Sequence, residues 1–297
     1  MRGTIIDYPR STLELYQDFV RFSIETSGSL DIICQPWALQ KIPYDAMTLP
    51  SWVCTTAKHP YGILEDNRYV RVNADCLVDL AGLGTHQYNA SRRKGPQYTF
   101  KDVGGSSRLA AGGLCFDNIL QIAPPALRAT IPLEWAELAG WDTSKRRKPE
   151  EFWRTLVADR TSDGREPPLI YKRACEDVLT GKPGDVDIRG LLSFSPPKII
   201  HEFLKRVETV VWGRRLIKTG EGRLGLVPRE SKEGDLICIL LGCSVPVVLR
   251  RIAEEDTDAG VTLIGACYIH GMMQGEALTD NNDGVYGKSG LKKFEIV

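Results

Sequence analysis

The sequence predicts an α+β fold in which a β-rich first part, a helical middle and a closing antiparallel β module pack into one composite core. Three observations support this prediction. Alternating apolar residues and glycine-rich turns dominate residues 68–122, helical spacing of apolar residues follows over 132–212, and strand-like patterns return over 214–278. We place the parts at residues 1–130 (mixed α/β, with an N-terminal helix), 131–213 (helical), 214–280 (β module) and 281–297 (a polar tail). We expect the tail to pack loosely.

The first element is a helix over the stretch STLELYQDFVRFSIETSG. Ser11 and Glu14 have the spacing of a capping box, in which each side chain binds a backbone N–H at the helix start. Gly28 suits the left-handed position that ends many helices. Four apolar residues fall on one face of this helix, namely Leu13, Tyr16, Val20 and Ile24.

Strands are predicted on both sides of this first part. The stretch LDIICQPW, which follows the helix, has the composition of a short buried strand that ends at Pro36. Further along, RYVRVNADCLVDLAGLG alternates at its start, and SRLAAGGLCFDNILQI is its predicted partner strand. The joining loop contains several glycines and a proline.

The middle of the chain contains four helix-like stretches, which are PLEWAELAG, PEEFWRTLVADR, PPLIYKRACEDVLTG and PPKIIHEFLKRVETVVWG. In the second of these, Phe152, Trp153 and Leu156 are expected to face a core. The intervening TSDGREPP and GKPGDVDIRG are predicted to be loops. The motif GEGRLG at 220–225 has the spacing of a dinucleotide fingerprint, but Pro228 lies where the required helix would run, so we predict a β-hairpin turn.

Composition excludes several function classes. The 297 residues include 38 basic and 38 acidic ones, so no overall charge favours nucleic acid or an anionic membrane as a partner. Two basic runs, Ser91–Lys94 and Lys145–Lys148, are interpreted as solvated loops, because no aromatic residues are interleaved with them. The eight cysteines are scattered singly, and no apolar leader or membrane span is present, which indicates a cytoplasmic protein with reduced thiols.

No established catalytic motif or metal motif is complete in the sequence. Cys243 and Ser244 follow a glycine, but Pro246 replaces the last glycine of a nucleophile elbow. The four histidines have no spacing that predicts a catalytic triad or a zinc site. We therefore predict that the protein uses neither a metal nor a cofactor.

The stretch ACYIHGMMQGEA contains the candidate catalytic residues. Tyr268 and His270 are two residues apart, so on a strand they point to the same face, and glycines permit a bend before Glu276. Tyrosine, histidine and glutamate together could transfer protons. The alternative is a satisfied polar cluster at the end of a strand.

Several stretches in order resemble the region that follows the effector domain in fungal heterokaryon-incompatibility (HET) proteins. They are DYPRSTLELYQDFVRFSIETSGSLDIICQ, LPSWV, EFWRTLVADR, TGEGRLGLVPRESKEGDLICILLGCSVPVVLR and GACYIHGMMQGEAL. The last two are the most specific. The effector motifs of that family, similar to ALSYxWG, WIDxxCINQ and RGWTxQE, are not found in this sequence, so its cell-death activity is not carried over.

The matching residues also define a predicted substrate-binding set. Arg214 and Arg215 belong to the closing motif of the resemblance, and Trp212 precedes them. Tryptophans can line an apolar ligand pocket, because such pockets are mainly hydrophobic and aromatic.

Three functions follow from these observations. The first is a small-molecule-binding protein that acts as a cofactor-free cyclase or isomerase on an apolar fungal secondary metabolite, for example through a Diels–Alder cyclisation. Such catalysis needs shape, a dry pocket and one or two hydrogen-bond donors. The second is a regulatory or sensor module of an incompatibility system that binds a protein partner without catalysis, and an exposed apolar patch would favour it. The third is a truncated version of a longer gene product.

Overall fold

The computed structural model describes residues 11–39, 49–63, 67–78, 87–103, 106–141, 149–179, 184–253, 260–278 and 290–297. The α-helices in these ranges are α1 (Thr12–Ser27), α2 (Leu133–Leu138), α3 (Glu150–Leu156), α4 (Ile170–Leu179), α5 (Ile188–Ser193) and α6 (Lys198–Val211). The strands are β1 (Tyr61–Ile63), β2 (Tyr69–Arg71), β3 (Tyr98–Val103), β4 (Ser106–Pro125), β5 (Thr130–Ile131), β6 (Val186–Asp187), β7 (Arg215–Thr219), β8 (Leu224–Val227), β9 (Leu236–Leu240), β10 (Val247–Arg251), β11 (Val261–Ala266), β12 (Tyr268–Ile269) and β13 (Leu291–Ile296). The predicted α+β class, with helices between two β-rich parts, is confirmed.

One buried cluster joins all parts of the chain. It includes Val20 from α1, Phe152 from α3, Leu204 from α6, Leu240 from β9 and Phe294 from β13. Burial of apolar side chains is the main favourable term in folding, and here it draws on residues that are far apart in sequence. This shared cluster is the composite core that the sequence predicts.

The predicted start and end of α1 are both confirmed. The Ser11 side chain accepts a hydrogen bond from the Glu14 N–H, and the Glu14 carboxylate accepts one from the Ser11 N–H. Gly28 adopts the left-handed conformation with φ of 66°, and Val20 and Ile24 are buried. The helix therefore begins and ends where local chemistry dictates.

Strand β4 is the centre of the large sheet because its 20 residues accommodate four neighbours. Its first half pairs with β3 and β13, and its second half pairs with β9 and β7. Through β13, β11, β10 and β9 the hydrogen-bonded pairs return to β4 and close a ring. At the point where β9 approaches β4, Gly113 lacks a side chain that would otherwise meet the Ile239 carbonyl oxygen.

A second arm of the sheet leaves the ring and carries the candidate site. Strands β7 and β8 pair in an antiparallel hairpin, which confirms that GEGRLG forms a turn. Strand β12 follows β11 after Cys267 and pairs with β8. Helix α3 packs against β8, and its residues Phe152, Trp153 and Leu156 are buried as predicted.

Three expectations for the first part are wrong. Residues Tyr98–Val103, expected in the loop that joins the two predicted strands, form β3, which pairs with β4. Residues Asp31–Cys34 form a 3-10 helix instead of a strand. Its polar groups bind the loop after β9, since the Leu30 N–H donates to the Gly242 carbonyl and the Asp31 carboxylate accepts from the Ser244 N–H at 2.7 Å. Strand β2 pairs with β1 and not with β4, because β4 already has a partner along each half.

Two further expectations are wrong in the later parts. Residues 188–193, expected in a loop, form α5, whose start is capped by Asp187 accepting from the Gly190 N–H at 3.0 Å. Residues 291–296, expected in a loosely packed tail, form β13, because alternate apolar side chains bury Phe294 and Ile296 in the core. The basic run Ser91–Lys94 lies in a turn, as expected, whereas Lys145–Lys148, His86 and residues 281–289 lie outside the described residues.

Candidate functional site

Strand β12 brings Tyr268 and His270 together. The Tyr268 hydroxyl oxygen lies 3.1 Å from the His270 Nδ1, within hydrogen-bonding distance. Pairing with β8 fixes the backbone of this segment, and the His270 N–H donates to the Leu224 carbonyl at 2.9 Å. The two side chains that the sequence places on one face therefore form a direct contact.

Tyr268 is fully buried beside a second tyrosine. Its ring centroid lies 6.4 Å from that of Tyr88, whose hydroxyl donates to the Ala158 carbonyl at 2.5 Å. Burial raises the pKa of Tyr268 well above its usual value, and the nearby Asp159 carboxylate adds to this effect. Tyr268 therefore keeps its proton at neutral pH and can donate it in a hydrogen bond.

His270 is half-buried and is neutral at pH 7. Burial lowers its pKa, while the carboxylates of Asp159 and Glu151 partly oppose that effect. A neutral imidazole accepts a hydrogen bond at one nitrogen and donates at the other. Two tautomers fit this contact. Either the Tyr268 hydroxyl donates to Nδ1 and the imidazole proton resides on Nε2, or Nδ1–H donates to the hydroxyl and Nε2 is the free acceptor.

His270 lies in the wall of an open cleft of about 730 Å³ between α3, α4 and the segment after β12, and the buried Tyr268 contacts it from within the protein. Its lining is mainly charged and consists of Pro149, Glu150, Glu151, Arg154, Asp159, Glu166, Lys172 and His270. A neighbouring depression of about 400 Å³ shares His270 and Glu151 and reaches the β7–β8 turn. This charged lining differs from the apolar pocket that we expected.

Arg154 organises the acidic side of the cleft. Its guanidinium binds Glu150 at 2.9 Å and Asp159 at 2.7 Å, and lies 3.7 Å from Glu166. It also lies over the Trp153 ring, 4.7 Å from the ring centroid. Three of the carboxylates are thus partly neutralised by one guanidinium, which pre-forms a polar surface in front of His270.

Glu276 does not join the other two candidate catalytic residues. It begins a 3-10 turn, Glu276–Leu278, and its carboxylate accepts a hydrogen bond from the Gln274 N–H at 2.7 Å. It is exposed and lines neither of the two depressions that contain His270. The geometry brings together two of the three predicted residues.

The predicted substrate-binding residues contact the protein itself. The buried Arg214 guanidinium donates to the Val210 and Asp75 carbonyls, both at 2.7 Å, and burial lowers its pKa to about 10. Arg215 donates to the Ala123 carbonyl at 2.8 Å. Trp212 is buried at the end of α6, and none of the three lines the clefts beside His270.

Sequence reasoning missed Arg154, Asp159 and Tyr88. The four-residue spacing of Glu150 and Arg154 on a helix predicts their ion pair, so the sequence does contain a signal for Arg154. Tyr88 is far from Tyr268 in sequence, and no local pattern links them. Among the described residues, no group of three or more His, Cys, Asp or Glu is arranged to bind a metal ion, and no helix is long and apolar enough to cross a membrane.

Comparison with known families gives one match. Residues 201–286 match the family described as the Het-6 beta-barrel domain. This segment includes most of α6 and the strands β7 to β12, whereas β4 and β13, which complete the ring, lie outside it. No curated protein and no solved structure shows significant similarity to the chain. The resemblance to HET-related proteins is thus confirmed for the closing β segment.

Proposed function

We propose that this chain, whose residues 201–286 match the Het-6 beta-barrel domain family, is a small-molecule-binding protein that catalyses a cofactor-free isomerisation or cyclisation beside His270. The observation that supports this function is the 3.1 Å contact between the buried Tyr268 and His270, which lines the 730 Å³ cleft. A neutral imidazole at a cleft wall can take a proton from one atom of a ligand and return it to another. The product then has the same mass as the substrate.

The roles of the two residues differ. His270 is the proposed proton carrier in the tautomer in which Nδ1–H donates to the Tyr268 hydroxyl, because Nε2 is then free to accept a proton and the lowered pKa keeps the ring neutral at pH 7. Tyr268 is a positioning residue, because its buried hydroxyl orients the imidazole and sets which nitrogen bears the proton. The charged lining favours a metabolite with polar groups over a wholly apolar one. It also favours proton transfer over the pericyclic example, which would need an enclosed apolar pocket.

Ligand retention tests this proposal. The pure protein is incubated with a fungal metabolite extract, washed and examined by native mass spectrometry beside a thermal melt. A ligand at about 100 times its Kd adds about 2.7 kcal/mol to stability. We expect a retained compound that is released as an isomer of equal mass, with turnover lost in His270→Gln and reduced in Tyr268→Phe.

The exposed His201, on α6, supplies the matched control, since His201→Gln should leave turnover unchanged. Retention of an unchanged compound, with no turnover of its isolated precursor, would remove the catalytic part of the proposal. Absence of any retained compound and of any thermal shift would overturn the proposal as a whole.

A specific surface feature favours a second candidate, the partner-binding regulatory module. Leu15, Phe19 and Phe22 lie on one face of α1 and are 48%, 43% and 65% exposed. The Phe19 ring contacts Trp37 at 4.6 Å between centroids, which extends the apolar face. Expression of the chain in fungal cells distinguishes the two candidates. An incompatibility response that is lost with Phe22→Ser and kept with His270→Gln would favour the module.

A further inference from the structure

Two of the eight cysteines are opposite each other on neighbouring strands of the sheet. Cys115 on β4 and Cys238 on β9 are direct partners in the antiparallel register, and their sulfur atoms share a hydrogen bond. Directly opposed residues of antiparallel strands have Cα atoms about 4.5–5.5 Å apart. Disulfides span Cα distances of about 4.4–6.8 Å. The backbone therefore already has the separation that a bridge between these residues requires.

The two thiols differ in exposure and in acidity. Cys115 is partly exposed, whereas Cys238 is fully buried. The hydrogen bond from Cys238 lowers the pKa of Cys115 to about 7, although burial acts in the opposite direction, and Lys292 contributes to the lowering. Burial raises the pKa of Cys238 well above its usual value. At pH 7 a partly exposed thiol that is about half ionised thus lies against a protonated thiol.

We propose that Cys115 and Cys238 are an oxidation site, at which a hydroperoxide converts the two opposed thiols into a disulfide between β4 and β9. The Cys115 thiolate attacks the outer oxygen of the hydroperoxide, the O–O bond breaks, and the leaving oxygen takes a proton to become water or an alcohol. Cys115 is then a sulfenic acid. The Cys238 sulfur attacks the Cys115 sulfur as its own proton leaves, the S–S bond forms, and the hydroxyl departs as water.

A second pair in the same chain provides an internal comparison. Cys34 and Cys243 also share a hydrogen bond between their side chains, but both are buried. That hydrogen bond and burial raise the pKa of Cys243 well above its usual value. A protonated, buried thiol reacts poorly with peroxide. The comparison separates the effect of proximity, which both pairs have, from the effect of an accessible thiolate.

Peptide mapping of the reduced wild-type protein tests the proposal. The protein is treated with hydrogen peroxide, quenched, alkylated in denaturant and digested with trypsin. Cleavage yields peptides 109–128 and 233–250, which contain Cys115 and Cys238 respectively, and fragmentation distinguishes Cys238 from Cys243. We expect a linked pair through Cys115 and Cys238, with Cys34 and Cys243 still alkylated. Its rate of formation should fall about 15-fold between pH 7 and pH 5.5, following the thiolate fraction.

Single variants define the order of the steps. Cys115→Ser should abolish the bridge. Cys238→Ser should stop the reaction at a sulfenic acid on Cys115 that dimedone captures, and Cys243→Ser should leave the bridge unchanged. Cys115 and Cys238 that both remain alkylatable after peroxide, a Cys34–Cys243 bridge in their place, or a rate independent of pH would each overturn the proposal. The wild-type measurements decide the outcome even if a variant fails to fold.

Discussion

Asp117 and Arg223 form an ion pair of 3.2 Å that joins β4 to the turn between β7 and β8, and the Asp117 side chain is only 2% exposed. The same carboxylate accepts hydrogen bonds from the Asn118 N–H at 2.9 Å and the Glu221 N–H at 3.3 Å. One buried side chain therefore satisfies three donors from two segments. It fixes the hairpin whose second strand carries β12.

Replacement of Asp117 should destabilise the protein. Asp117→Ala removes the shared acceptor of three donors, and we expect the free energy of unfolding to fall by about 2 kcal/mol. Urea denaturation followed by circular dichroism measures the change. Glu230→Ala, which removes an exposed ion pair with Arg229, is the control and should change stability by less than about 0.5 kcal/mol. Equal effects of the two substitutions would contradict the assigned role of Asp117.

Adjacent glycines in β4 should respond very differently to alanine. A Cβ at Gly113 would lie 2.5 Å from the Ile239 carbonyl oxygen, so Gly113→Ala should separate β4 from β9 and cost about 3 kcal/mol or more. At Gly112 the nearest atoms belong to the Gln97 side chain, which can move, and the cost should stay below about 1 kcal/mol. Denaturation midpoints of the two variants provide the comparison. A Gly113→Ala variant as stable as wild type would show that β4 and β9 are farther apart at this point than the 2.5 Å distance implies.

The stability of the protein should decline in mild acid because of His270. Its pKa in the folded protein lies below the ordinary 6.5, so between these two values the unfolded chain binds more protons. The free energy of unfolding therefore falls as the pH decreases below about 6.5. The stability that the neutral His270 contributes is fully lost once the pH is below the folded-state pKa of this residue. His270→Gln should flatten that decline, whereas His201→Gln should keep it. Superimposable pH profiles of wild type and His270→Gln would refute the prediction.

The end of α1 offers a test of backbone conformation alone. Gly28 has a φ of 66°, and an added Cβ would meet no atom within 4 Å. Gly28→Ala should thus cost about 1–2 kcal/mol through the left-handed conformation only. Gly28→Asn should cost less, because asparagine adopts this conformation more readily. Thermal melts of both variants test the order, and an alanine variant as stable as wild type would exclude strain at this position.

Local patterns in the sequence predicted local structure well. The capping box of Ser11 and Glu14, the buried face of α3 and the turn at 220–225 depend on interactions between residues close in sequence, and all three are confirmed. Partners of strands were harder to predict. Alternation shows that β4 is a strand, but period-two alternation is the same for any partner, so it cannot reveal four neighbours.

The candidate site illustrates the same limit. The spacing of Tyr268 and His270 places them on one face, and the structure brings them into contact. Their surroundings come from elsewhere, because Tyr88 precedes Tyr268 by about 180 residues and Asp159 reaches the cleft after α3. Only tertiary packing decides which charges surround the imidazole, and charges set its pKa. The charged lining of the cleft therefore could not be predicted from the periodicity of the sequence.

The ring of strands has a consequence for synthesis on the ribosome. β13 begins about 165 residues after β4 ends, and translation at about 5–20 residues per second needs on the order of 10–30 s to supply it. During that interval the nascent β4 exposes unpaired N–H and C=O groups along the edge that β13 later covers. Such an edge can pair with other nascent chains. We expect the yield of native protein in expression cultures to depend on temperature and chaperone supply more strongly than the stability of the finished molecule does.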